Sequence, residues 1–388
     1  MSVALLFVRR RPMPPPTLAI FLPSLAGGGA ERMMLNLAAG ALAEGLAVAL
    51  VCADARGPYV PEVPKGCRLV DLKARRVSLA LPKLAAWLRR ERPRVLLAAM
   101  DHANLVAIWA RVLAGADARM RLAVSVRSQL SMAAANEPHL RGRLLPRLAR
   151  WFYSQADDVI AVSQGVADDL VQCLGLDDAR ITVIPNPVVG EQLETLAPAP
   201  LAYPWFAPEA PPVLLAAGRL TRQKDFPTLL RAFARLVPRR DLRLVILGEG
   251  PDRGALTAEV DGLGLAERVA LPGFDDNPFR WMARARLFVL SSAWEGLPGV
   301  LIQAMACGTP VVSTDCPSGP REILDEGRFG PLVPVGDAQA LAAAIEQTLD
   351  APLPAATLRE RAAQYRIAPV TRRYLAALGL AAEPDAAA

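Results

Sequence analysis

The chain has 388 residues, 53% of them hydrophobic and 21% charged, which is length and apolar content for two domains that each bury a core. Charge is divided unevenly: residues 1–190 hold 24 Lys and Arg against 15 Asp and Glu, residues 191–388 hold 20 against 23, so the halves carry +9 and −3. A basic first half suits an anionic partner such as a phospholipid surface or a lipid diphosphate, and the lack of a basic, aromatic-interleaved recognition motif ranks nucleic acid lower.

In chain order, residues 1–16 open with an apolar hexamer before an arginine run, the reverse of a secretory signal, and read as an N-terminal extension. Continuous apolar runs then alternate with helical patterns at 17–25, 47–53, 94–100, 121–126, 158–163 and 181–185. That alternation predicts a parallel sheet covered on both faces, and a first Rossmann-like domain over 17–190. Residues 191–212 form a connection, and its stretch from Leu196 to Pro212 holds six prolines, so an extended path without regular structure is expected. The alternation restarts at 213–218, 242–248, 268–274, 287–292 and 310–314, giving a second Rossmann-like domain over 213–354. A last helical stretch falls within 355–388, and the final AAEPDAAA is expected to fray. The most apolar window, Leu35 to Ala55, contains Asn36, Glu44 and Gly45 and divides into helix, turn and strand, so no transmembrane helix is predicted.

Several segments carry candidate chemistry. After the first strand, Gly27, Gly28 and Gly29 are consecutive, so the dinucleotide fingerprint fits poorly, although glycines let backbone approach a phosphate or a sugar. Arg219 and Lys224 lie in the strand-to-helix turn before an apolar face of Phe226, Leu229, Leu230, Phe233, Leu236 and Val237. Cations at the carboxyl end of a parallel strand suit two phosphates. Glu295 opens EGLPGVLIQ after the strand-like LFVLSS. Ser292, Gly296, Leu297 and Gly299 would bring free N–H groups and a helix N-terminus beside a ligand, with Pro298, which has no N–H to offer, at the first helical position. Gln303 lies on a stripe with Gly299 and Cys307 that can face the same crevice, while Glu295 could alternatively cap the helix. Residues 140–155 interleave four arginines with Leu, Trp and Phe, the pattern either of a membrane-surface helix or of a packed helix with a solvated basic face. Five scattered cysteines without a close pair fit a reducing cytosol. Only His102 and His139 are available as imidazole ligands, so a histidine-rich metal site is excluded and metal-independent chemistry is expected.

These segments together resemble a known group, the retaining, nucleotide-sugar-dependent glycosyltransferases of family 4, which have the two-domain GT-B fold. GRLTRQKDF is similar to the family's Arg and Lys diphosphate motif, and EGLPGVLIQ to its Glu-seven-residues-Glu motif with Gln303 in the second place. LPSLAGGGAERMMLNLAAGAL is similar to its first glycine-rich loop and helix, and SQADDVIAVSQGVADDL followed by ITVIPNPV to the close of its first domain. DCPSGPREIL resembles the branch acting on lipid-linked oligosaccharides. The resemblance implies an α/β enzyme without a separate cofactor, whose donor is a nucleoside-diphosphate sugar, a UDP-sugar by preference, and whose acceptor is a glycan or lipid diphosphate. It implies that Arg219 and Lys224 meet the departing diphosphate, Glu295 the donor sugar, Gln303 the ribose, and Gly27 to Gly29 the diphosphate from the other domain. Glu249, Gly250 and Phe274 then lie near the base, and the C-terminal helix folds back on the first domain. Where many relatives carry a histidine, this chain has Arg127 and Ser128, which leaves Asp101 and His102 as the nearest candidate bases and Arg127 as an acceptor-side or donor-phosphate ligand. A cytoplasmic enzyme, peripheral at the inner membrane face, follows. Two alternatives stay open: a noncatalytic nucleotide-sugar binder, and a UDP-sugar epimerase of the same architecture.

Overall fold

The structure is a computed structural model and describes residues 15–115, 120–132 and 151–381. Its first sheet is formed by β1 (Leu18–Leu22), β2 (Val48–Cys52), β3 (Arg68–Asp71), β4 (Val95–Ala99), β5 (Arg121–Val126), β6 (Asp158–Ala161) and β7 (Ile181–Val183). They lie in the order β3-β2-β1-β4-β5-β6-β7, every pair parallel. In the second sheet, β8 (Val213–Ala217), β9 (Arg243–Leu247), β10 (Val269–Gly273), β11 (Leu287–Leu290), β12 (Val311–Thr314) and β13 (Leu332–Val333) lie in the order β10-β9-β8-β11-β12-β13, again parallel. This is the expected pair of Rossmann-like domains.

The central strands β1, β2, β4 and β8 are buried at every residue, as strands covered by helices on both faces must be, which is why they read as continuous apolar runs. The two strands absent from the sequence reading are both at sheet edges. Strand β3 alternates half-buried and exposed residues, and β13 is two residues long.

Strand order reverses between β1 and β4 in the first sheet and between β8 and β11 in the second. Loops leaving the carboxyl ends of such neighbours diverge to opposite faces and leave a crevice between them. Arg219 and Lys224 follow β8, and Glu295 follows β11. The glycine-rich loop follows β1, and Asp101 follows β4. Both reversal points therefore carry the residues singled out above.

On one face of the second sheet, the helix Phe226–Leu236 buries Phe226, Leu229, Leu230, Phe233 and Leu236, with Val237 packed at the margin. Each such side chain contributes about 1.5–3 kcal/mol when taken from water. The other face, with the helix Gly299–Cys307, shares one continuous apolar cluster with the first domain.

Two crossings join the domains, and they are bonded to each other. Val188 and Val189 donate to the Tyr365 carbonyl at 2.9 and 3.0 Å, and Ile367 N–H donates to the Val189 carbonyl at 2.9 Å. The helix Ala355–Ala362 packs on Gly299–Cys307, whereas Ile367–Ala377 packs on the first domain's helix Gly29–Ala43. The proline-rich stretch after Leu196 is without regular structure apart from the turn Pro204–Phe206, and a short helix, Leu193–Leu196, leads into it. Within it, Tyr203 and Phe206 pack against Trp281 with ring centroids 5.0 and 5.6 Å apart. Its carbonyls, freed by prolines from regular pairing, accept from Asn277, Arg280 and Arg284 of the second domain.

Candidate active site

Lys224 reaches the site from the turn Arg222–Lys224, which follows the buried strand β8 and precedes a helix opened by Phe226 and Pro227. The loop after β11 is bonded to this turn at three points. Ser291 Oγ donates to the Lys224 carbonyl at 2.8 Å, Ala293 N–H to the Gln223 carbonyl at 2.8 Å, and Gln223 Nε2 to the Trp294 carbonyl at 2.9 Å. Glu295 is thereby delivered onto Lys224, and the two side chains form an ion pair with 9% and 15% of their side-chain surface exposed. Ser292 Oγ also donates to Glu295 Oε1, at 2.7 Å.

The helix after this loop begins at Gly299 and has no side-chain cap. Glu295 is therefore engaged by Lys224 and Ser292 and leaves the capping role vacant. Pro298 precedes the helix as its N-cap, with ψ 97°, and does not fill the first helical position expected for it. Its N–H is missing in either place, so the helix loses no bond.

Arg219 is exposed on the loop just after β8. Its charge acts on Glu31, which comes from the other domain. Glu31 lies in the first turn of the helix Gly29–Ala43, only 6% exposed, and burial raises its pKa against the opposing pull of its backbone N–H, Arg127 and Arg219. Gly28 has no side chain where one would collide with the Glu31 carboxylate, which explains part of the glycine run. Gly27 has φ +95° and packs against Pro58, while Gly29 faces open space. Sequence reasoning missed Glu31 because an acidic residue in a first helical turn is ordinarily a favourable helix-end charge. The signal available was its position two residues after three glycines.

The domains touch through backbone. A Cβ at Gly296 would overlap the Arg127 carbonyl, so only glycine permits this approach. Around that point, Ser163 Oγ lies 2.9 Å and Ser318 Oγ 2.8 Å from the Gly296 carbonyl, and the two hydroxyls are 2.8 Å apart. Asn186 Nδ2 donates to the Leu297 carbonyl at 3.0 Å, and its Oδ1 accepts from the Arg127 guanidinium. Glu322 accepts from Gln164 and Gly165 N–H at 2.9 and 3.1 Å, at the start of the helix Gln164–Leu174. First-domain side chains thus hold the carbonyls that immediately follow Glu295.

Arg127 is committed to this contact: its second amine lies 3.5 Å from Ser125 Oγ, and burial lowers its pKa. Ser128 stands beside it, half-buried, next to Gly296. Asp101 begins the helix Asp101–Ala114, where Tyr153 Oη lies 3.5 Å from its carboxylate and burial raises its pKa. His102 is exposed in the same turn. Neither residue is bonded to Lys224 or Glu295. Gln303 lines a narrow pocket beside the domain crossing, with Val188, Gly190, Gln192, Phe279 and Ala306. Glu249 and Gly250 follow β9, with Glu249 paired to Arg253 at 3.0 Å, and Phe274 follows β10 with 54% of its surface exposed. Among the described residues no cluster of three His, Cys, Asp or Glu could hold a metal ion, and no helix is long and apolar enough to cross a membrane. Residues 140–150 of the basic, apolar stretch lie outside the described residues.

The family model "Glycosyltransferase Family 4" matches residues 27–191, and "Glycosyl transferases group 1" matches residues 211–351. Among curated proteins, the chain is 30% identical to the N-acetylgalactosamine-N,N'-diacetylbacillosaminyl-diphospho-undecaprenol 4-alpha-N-acetylgalactosaminyltransferase of Campylobacter jejuni, over 86% of this chain and 90% of that one. The chain belongs to glycosyltransferase family 4. This family 4 glycosyltransferase is also 29% identical to the lipopolysaccharide core biosynthesis glycosyltransferase LpsE of Rhizobium meliloti, over 82% of this chain and 85% of that one. Anabaena Alr3699/HepE in complex with UDP and glucose superposes with a TM-score of 0.76 at 20% identity, covering 94% of this chain and 99% of that one. The apo lipopolysaccharide outer core galactosyltransferase WaaB gives 0.69 at 21% identity, covering 93% and 99%. The fold of this family 4 enzyme is GT-B, with Lys224, Glu295 and Ser292 at the strand reversal of its second domain.

Proposed function

We propose that the enzyme transfers a hexose or N-acetylhexosamine from a UDP-sugar to a lipid-linked oligosaccharide or lipopolysaccharide acceptor, keeping the anomeric configuration. The observation that carries this reading is the buried Lys224–Glu295 pair with Ser292, assembled by two strand-end loops where open α/β sheets bind ligands. Support for the donor comes from HepE, whose structure holds UDP and glucose, and for the acceptor from the Campylobacter relative, whose name specifies a diphospho-undecaprenol glycan.

In this mechanism the anomeric C–O bond to the diphosphate breaks as the acceptor oxygen bonds to the same face. The acceptor proton passes to the leaving phosphate, so no side-chain base is required. Negative charge grows on the diphosphate and is met by Arg219 and Lys224, the cations of the loop and turn that follow β8. Each preorganised donor of this kind is worth about 3 kcal/mol in the transition state. Glu295 holds donor-sugar hydroxyls and stabilises positive character at the anomeric carbon. With cations built in, activity survives excess chelator, and the enzyme works at the inner face of the membrane.

Thermal-shift measurements with UDP-, GDP- and ADP-sugars test the donor, since a ligand bound by the folded state alone raises its melting temperature. A rise with UDP-sugars, and a product of retained configuration by NMR, are expected. A selective rise with GDP- or ADP-sugars, or loss of activity under chelator reversed by one divalent ion, would overturn the corresponding part.

A further inference from the structure

A helix on a protein surface normally turns polar residues to water and apolar ones to the core. The helix Asp101–Ala114 does not. Its inner side buries Ala103, Val106, Ala107, Ile108 and Ala110, and its outer positions at spacings of three and four are His102, Leu105, Trp109, Val112 and Leu113. Leu105 is half-buried, while Trp109, Val112 and Leu113 are 39%, 56% and 48% exposed. Trp151, 58% exposed, extends this face, its ring centroid 6.1 Å from that of Trp109. Leu79, 58% exposed, is in the turn Val77–Ala80, which packs against the same helix. Exposed apolar groups scattered singly need no explanation, but Trp109, Val112 and Leu113 on one helix face, extended by Trp151 and with Leu79 on a turn packed against the same helix, mark a surface meant to be covered.

The neighbouring charge says by what. Residues 73–115 hold nine Lys and Arg and two acidic residues. Both acids are occupied, Glu91 by Arg68 and by Arg90 at 3.0 Å, and Asp101 by its burial near Tyr153. Lys83 and Arg90 are exposed on the helix that packs beside Asp101–Ala114, Lys73, Arg75, Arg76 and Arg92 are exposed on the segments that flank that helix and its preceding turn, and Arg89 donates to the Leu113 carbonyl at the end of Asp101–Ala114. A strip of tryptophan and aliphatic residues bordered by cations matches one environment, the boundary of a bilayer containing anionic phospholipid, where indole rings settle at headgroup level and each nearby cation adds to the attraction. A second copy of this chain would bring the same positive field against itself.

We infer that the outer face of the helix Asp101–Ala114, with Trp151, Leu79 and the basic residues beside it, docks the enzyme on an anionic bilayer. This deepens the proposed lipid-linked acceptor and rests on that reading, because the helix starts at the first domain's strand reversal. The acceptor headgroup then reaches the cleft while its chain stays in the membrane.

Cosedimentation of the full chain with phosphatidylcholine vesicles, with and without phosphatidylglycerol, tests the docking without any turnover. Wild type should sediment with the anionic vesicles only, and should be released by high salt. A Trp109→Ser/Val112→Ser/Leu113→Ser/Trp151→Ser variant should bind on the order of tenfold less, and Arg76→Gln/Lys83→Gln/Arg90→Gln should lose the preference for phosphatidylglycerol. Melting and circular dichroism identify folded variants, and Val112→Glu alone gives a milder second probe. Undiminished vesicle binding by both folded multiple variants overturns the proposal, as does concentration-dependent dimerisation of wild type that the first variant abolishes. Stronger retention by RNA than by vesicles would overturn it too. Failure of the transferase reading shows separately, as absent UDP release with intact vesicle binding.

Discussion

Replacing Lys224 removes two things at once, and the structure allows them to be separated. In the free enzyme Lys224 neutralises Glu295, with 15% and 9% of their side-chain surface exposed. Cutting Lys224 to Met leaves a carboxylate enclosed with a single remaining donor, Ser292 Oγ at 2.7 Å. Breaking a buried pair by removing one partner costs about 3–5 kcal/mol, and the surviving Ser292 bond puts this case near the lower end. About 3 kcal/mol lowers the melting temperature of a domain this size by roughly 6–12 °C. Substituting both partners, Lys224→Met with Glu295→Gln, removes the stranded charge and should recover most of that loss. Turnover behaves oppositely: the single variant falls on the order of a hundredfold, and the double falls at least as far because both groups that meet the donor are gone. Melting without donor, and initial rates well below the melting range, measure the two quantities. If the single variant melts like wild type and the double is no more stable than the single, the pair is not coupled and the site geometry is wrong.

Arg219→Ala should reduce turnover on the order of a hundredfold with little change in melting temperature, since Arg219 is exposed; near-normal turnover would remove it from the diphosphate site. Ser163→Ala with Ser318→Ala deletes the hydroxyls that hold the Gly296 carbonyl between the domains, so turnover should fall about tenfold or more while donor binding, judged by thermal shift, is largely kept. Equal losses in both would indicate simple unfolding. Glu31 gives a pH signature. Its folded pKa is raised above the ordinary 4.5 by burial, so its contribution is fully present below pH 4.5 and is lost as pH rises through the folded value. Glu31→Gln should therefore be more stable than wild type at neutral pH, the difference closing as pH is lowered toward 4.5; a constant difference at every pH refutes the raised value.

How much of this was legible in the chain depends on whether a contact is written in a local pattern. Strands β1, β2, β4 and β8 were plain because burial on both faces forces an unbroken apolar run, whereas β3 and β13 pair on one side only and demand no such run. In the proline-rich connection the lack of regular structure was legible and the destination of its carbonyls was not, because proline reports the absence of regular bonds and not where freed carbonyls go; Arg280, Arg284 and Asn277 collect them from about 80 residues away. At the site, the turn residues that place Lys224 and Glu295 follow buried strands and could be read, since a strand end fixes where its loop begins. Glu31, Ser163, Asn186 and Ser318 could not, because each acts on a partner in the opposite domain, over separations of 111 to 155 residues for the three hydrogen-bonded ones. Such contacts impose no period and little composition, only a demand that each polar group enclosed by closure find a partner. The interface meets that demand with short side chains and backbone carbonyls, and Gly296, whose missing Cβ brings the two backbones together, is the one point where the demand becomes visible as a residue type.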